Sequence, residues 1–149
     1  MVMPLYCIGQ GLSPEKIKSV LELGVKDSLI ILGEWNPQKG QTEVHLKYLG
    51  IISSPNNQYK IMTYSWLWGL SKRATNKILV YDLENRFLGG YAVNVLCELP
   101  LAIEGNTLII SHQNCGNCAN TIKVPFKYGL PKKIEATCAC GAGDEYFFH

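Results

Sequence analysis

Apolar positions recur along this chain with two different periods. Near the amino end Ile17, Val20, Leu21 and Leu23 fall on one side of a helix, behind the run Ser13-Pro14-Glu15. Serine suits a helix cap, and proline suits the first turn because its missing N–H would go unused there. A carboxylate at Glu15 meets the positive end of the helix dipole. Gly24 tolerates the left-handed backbone that commonly ends a helix. The pattern predicts an amphipathic helix of about ten residues, its apolar stripe packed on a sheet.

From Ser28 the period shortens to two. Ser28-Leu29-Ile30-Ile31-Leu32 is a β-branched apolar run closed by Gly33, the signature of a buried strand. Residues 43–53, 59–68, 77–83 and 87–95 are four further strand candidates, and 107–111 adds another. Residues 55–58 and 84–86 are connections of hairpin length, and residues 35–40 carry turn chemistry. Strands in close succession joined by tight turns predict an antiparallel meander. Such a meander forms a twisted sheet or curls toward a partial barrel, here of about seven or eight strands. Its longest connection is residues 69–76.

Alternation resumes near the carboxyl end in residues 121–126 and again in 133–137, with the turn residues Gly129 and Pro131 between them. The expectation is one hairpin that brings Cys118 across from Cys140. Tyr146-Phe147-Phe148 close the chain with a large apolar area, which predicts docking on the sheet or on a partner. The class is α+β, a single domain over 1–149: a helical segment 1–27, an antiparallel core 28–111 and a cysteine-rich segment 112–149.

Two close thiol pairs flank that hairpin: Cys115-Gly116-Asn117-Cys118 and Cys138-Ala139-Cys140. Side chains two apart on a strand share a face, and a Cys-x-x-Cys loop folds readily around one ion, so the four thiols have the spacing of a tetrathiolate site. Zn²⁺ suits it, because zinc takes four thiolates tetrahedrally with no redox demand and no open position. The zinc-clamped hairpin is then structural. His112 and His149 are the substitute ligands. The competing accounts are disulfides, a redox dithiol and unrelated buried thiols. Disulfides favour an oxidising compartment, whereas Met1 to Leu5 lack a signal-peptide pattern. A redox Cys-x-x-Cys belongs at a helix start, whereas residues 117–121 look like loop. An iron–sulfur cluster would also use four cysteines, but nothing specifies it over zinc.

Composition narrows the classes further. At 149 residues the chain can bury one full core, and 47% hydrophobic with 17% charged residues excludes disorder. No apolar run is long enough to span a bilayer. Six cysteines without a secretion signal place the protein in the cytoplasm. A net charge of +2 names no partner. Trp66 and Trp68 share a strand face and precede Lys72, Arg73 and Lys77, the components of a single-stranded nucleic-acid platform that stacks bases and neutralises phosphates. The same residues describe an ordinary sheet edge beside a solvated loop. Gly9-Gln10-Gly11 before the helix lacks the third glycine of a phosphate loop and reads as a turn.

No catalytic constellation assembles along the sequence. Asp82 and Glu84 flank a turn, where solvated charges are expected. Cys7 and Cys97 have no histidine nearby in sequence to act as base. A zinc deaminase requires His-x-Glu, and His112 is followed by Gln113 and Asn114. The reading is a non-catalytic, zinc-stabilised binding or adaptor module for a protein partner. A nucleic-acid-binding module is one alternative, and a thiol redox or zinc-dependent enzyme is another.

Overall fold

The structure, a computed structural model, describes residues 12–111, 120–137 and 143–149. Helix α1 spans Pro14–Leu23, as the capping residues predict. Gly24 stops it with a left-handed φ of 63°, its N–H bonded to Leu21 O. Ile17, Val20 and Leu21 are buried, whereas Leu23, assigned to the same stripe, is 69% exposed. Ser13 contributes through its carbonyl, which accepts from the Ile17 N–H, and not through its hydroxyl.

Five strands follow: β1 Leu29–Asn36, β2 Gln41–Ser53, β3 Gln58–Trp68, β4 Arg73–Tyr81 and β5 Phe87–Val93. They pair antiparallel in sequence order as an open sheet. The meander is as expected, and it does not close into a barrel. The β3–β4 connection is shorter than the sequence suggests: β4 begins at Arg73, opposite Trp68, so only residues 69–72 turn the chain. Thr75 and Asn76 look like loop because they are polar, yet they find polar partners inside the sheet. Trp68 Nε1 donates to Thr75 Oγ1 at 3.0 Å, and the Ser65 hydroxyl donates to Asn76 Oδ1 at 2.8 Å. A buried polar group with a partner costs little, so the ladder continues through them.

Each face of the sheet builds its own core. On one, α1 packs against Leu46, Tyr48, Met62, Tyr64 and Leu79. On the other, Ile52, Ile61, Ile78, Val80, Tyr91 and Val93 meet the carboxy-terminal strands. Those strands are β6 Ala102–Glu104, β7 Thr107–Ser111, β8 Thr121–Pro125, β9 Lys133–Thr137 and β10 Gly143–Phe147.

Their pairing corrects the sequence reading. Residues 121–125 and 133–137 do not form one hairpin. Instead β8 pairs with β7, ending at Ser111 opposite Thr121, and β9 pairs with β10, ending at Thr137 opposite Gly143. The intervening segment is anchored elsewhere: Phe126 is fully buried, and the Tyr91 hydroxyl donates to Pro131 O at 2.5 Å. That anchoring turns β9 away from β8. Strands β6 and β10 were not foreseen; β6 has three residues, and β10 opens on Gly-Asp-Glu, which lacks alternation.

The carboxyl end docks on the sheet. Tyr146 is buried, the Phe148 ring meets Tyr91 edge-on at 5.4 Å, and His149 exchanges two backbone hydrogen bonds with Gly90. Phe147 faces solvent. The approach requires glycine at 89, where φ is +143° and a Cβ would sit 2.3 Å from His149 O.

Candidate functional site

Cys115, Cys118, Cys138 and Cys140, like His112 and Cys7, lie outside the described residues. The strands that lead into and out of their loops are described. In sequence the Cys115/Cys118 pair falls between β7 and β8, and the Cys138/Cys140 pair between β9 and β10. The flanks of the two loops touch: Asn120 Nδ2 donates to Thr137 O at 3.2 Å. Cys118 is two residues before Asn120, and Cys138 is the residue after Thr137. With successive Cα atoms about 3.8 Å apart, both pairs are tethered within a few residues of one hydrogen bond. Two pairs of thiols in segments whose described flanks touch are the residue types a closed zinc site uses.

His149 does not fit as a substitute ligand. It lies beyond the other end of β10 from Gly143, six residues on, which at the strand rise is roughly 20 Å. Its backbone is also tied to Gly90. Among the described residues no group of three or more His, Cys, Asp or Glu is placed to hold a metal. Cys97, for which the sequence offers no histidine base, is disulfide-bonded.

The tryptophans and cations gather at one end of the sheet. Trp66 and Trp68 stack with centroids 5.5 Å apart, Arg73 lies over the Trp68 ring at 5.7 Å, and Lys72 lies over Trp35 at 5.2 Å. Trp35 Nε1 also donates to Gly69 O at 2.9 Å, so the indole clasps the β3–β4 turn. Trp35 was read as a turn residue; its return to this cluster follows from β1 pairing with β2. Lys77 lies within β4 opposite Tyr64 and does not belong to the turn. At the tip of the turn Leu70 is 84% exposed.

A second polar cluster occupies the sheet face opposite α1. Glu43 Oε2 and His45 Nε2 lie 2.5 Å apart, and the Trp35 N–H donates to Glu43 Oε1 at 3.3 Å. The His45 contact, reinforced by that N–H, holds the Glu43 carboxyl below its ordinary range. The signal was present in the sequence: residues 43 and 45 are two apart on a strand and share a face. Asp82 and Glu84 behave as turn charges, both within ion-pair distance of Arg86, at 2.7 and 3.6 Å.

No helix among the described residues is long and apolar enough to cross a membrane. Comparison of the chain with protein-family models, with curated proteins and with solved structures finds no match in any of the three.

Proposed function

We propose that this chain is a non-catalytic binding module for a protein partner, in which Cys115, Cys118, Cys138 and Cys140 hold a structural zinc ion. The observation that supports the metal is the hydrogen bond from Asn120 to Thr137, which joins the described flanks of the two segments that each bear two thiols in sequence. Neither hairpin buries much on its own, and a closed tetrathiolate contributes folding free energy directly. Cys97 is not counted as a ligand, since its sulfur is in a disulfide.

The contact surface is the Trp35, Trp68, Lys72 and Arg73 end of the sheet with Leu70 at its tip. Protein is favoured over nucleic acid because the rings are already engaged. Lys72 covers Trp35, while Trp68 carries both Trp66 and Arg73. A base-stacking platform needs open ring faces and cations free for phosphates. Tryptophan and arginine are the side chains that most often anchor protein contacts, and exposed Leu70 adds apolar area beside them.

Two measurements test this. Mass spectrometry of the untagged, reduced protein is expected to show one zinc per chain, lost in a Cys138→Ser, Cys140→Ser variant together with thermal stability; no zinc in the parent protein would refute the metal site. Titration with a single-stranded oligonucleotide at low salt is expected to show no binding. Salt-sensitive binding lost in Lys72→Gln, Arg73→Gln would overturn the protein-partner reading in favour of nucleic acid.

A further inference from the structure

Beside the Glu43–His45 pair the sheet face opens into a cleft of about 600 Å³, inside the size range of small-molecule sites. Its floor is set by strand register. His45 and Lys47 on β2 stand directly opposite Ser65 and Thr63 on β3, so the four side chains form a square on one face. Across from them run Leu96, Leu99 and Leu101, with Leu29 of β1 completing the wall.

Three properties of the lining converge on one kind of ligand. First, the polar side chains, His45, Lys47, Thr63, Ser65 and Ser111, include hydrogen-bond donors and a cation but no carboxylate. Second, Lys47 is half-buried yet forms no ion pair among the described residues, so none of them supplies a counter-ion to this cation. Third, the apolar wall is aliphatic, with no aromatic ring in it. Leu29, Leu96 and Leu101 remain 55, 54 and 51% exposed, an apolar surface that an occupant would cover.

We propose that this cleft binds a small aliphatic carboxylate, with its anionic head on Lys47 and Thr63 and its hydrocarbon chain along Leu96, Leu99 and Leu101. The head gains a charge-assisted hydrogen bond in a partly desolvated setting, and the chain removes exposed leucine surface from water. Glu43 stays out of the lining and is occupied by His45, so it does not repel the head group.

The site does not depend on the zinc or on the tryptophan surface. Octanoate and its neutral analogue 1-octanol are the probes, titrated into the full chain and followed by calorimetry and by amide chemical shifts. Saturable one-to-one binding of octanoate is expected, about tenfold tighter than 1-octanol, with shifts centred on Thr63, Ser65 and Leu101. A folded Lys47→Gln variant, checked by its melting curve, is expected to lose that tenfold advantage while binding 1-octanol unchanged. A second variant, Leu101→Glu at the exposed rim, is expected to weaken both probes. The proposal is overturned if octanoate does not saturate, if 1-octanol binds equally well, or if Lys47→Gln binds octanoate as the parent does.

Discussion

The five-stranded sheet and the carboxy-terminal hairpins are both antiparallel β structure, yet different interactions hold them. Strands β2 to β4 have nine to thirteen residues each and are covered on both faces, by α1 on one and by the carboxy-terminal strands on the other. Strands β6 to β10 have three to five residues each. They bury one face only: Ile134 and Ala136 alternate with exposed Lys133, Glu135 and Thr137. A short, one-sided hairpin is marginal by itself and needs a staple or a docking surface. Here the docking surface is the sheet, and the staple we propose is zinc.

That contrast can be broken most severely by removing the metal. With a chelator present, amide exchange is expected to accelerate in residues 107–111, 121–125, 133–137 and 143–147 while the centre of β2–β4 stays protected. Uniform loss of protection across both regions would mean that the hairpins and the sheet form one cooperative unit, and unchanged protection would mean that no metal supports the hairpins.

Next in size is the link between the regions. Deleting residues 146–149 removes buried Tyr146, the Phe148 contact with Tyr91 and the two His149 backbone bonds. Truncating one buried aromatic costs about 3–5 kcal/mol, which for a chain of this size corresponds to a fall in melting temperature on the order of 10 °C. A shift of under a degree or two in calorimetry would show that the hairpins hold without the docked end.

The smallest effect lies within the sheet and depends on pH. The Glu43 carboxyl titrates below its ordinary value because His45 and the Trp35 N–H stabilise its charged form. A depressed carboxyl contributes stability that is complete above its unfolded value and disappears as pH falls through the folded one. Glu43→Gln is therefore expected to be less stable than the parent near neutral pH, with the difference shrinking below about pH 4.5 as the parent carboxyl protonates. A gap that stays constant from pH 7 to 3 in denaturant titrations would show that Glu43 acts by packing alone.

Much of the sheet was legible because its signals are local. Ser13-Pro14 and Gly24 bracket α1 at its observed bounds, and residues 107–111 and 133–137 are strands with the expected limits. Thr75 and Asn76 were misread because polarity suggests a loop until the partner strand supplies Ser65 and Trp68. Of the candidate site, the thiol spacing and the aromatic–cation cluster were visible in the sequence. The Glu43–His45 contact was visible only as an i, i+2 pair.

By itself, then, the sequence determined the class, the one α-helix among the described residues, the meander and the positions of four closely spaced thiols. All of these follow from periodicity and turn chemistry within about ten residues. Tertiary structure alone decided which neighbour β8 and β9 would pair with. Alternation assigns a face to each residue but says nothing about which strand lies alongside, and the Gly129–Pro131 turn looked at least as good a hairpin as the cysteine loops. The choice came from distant contacts: Phe126 buried in the sheet core, Tyr91 holding Pro131, and the chain end clasped to Gly90. The same long-range packing set the Lys47 cleft, which brings residues 96–101 against residues 45–65 of the sheet.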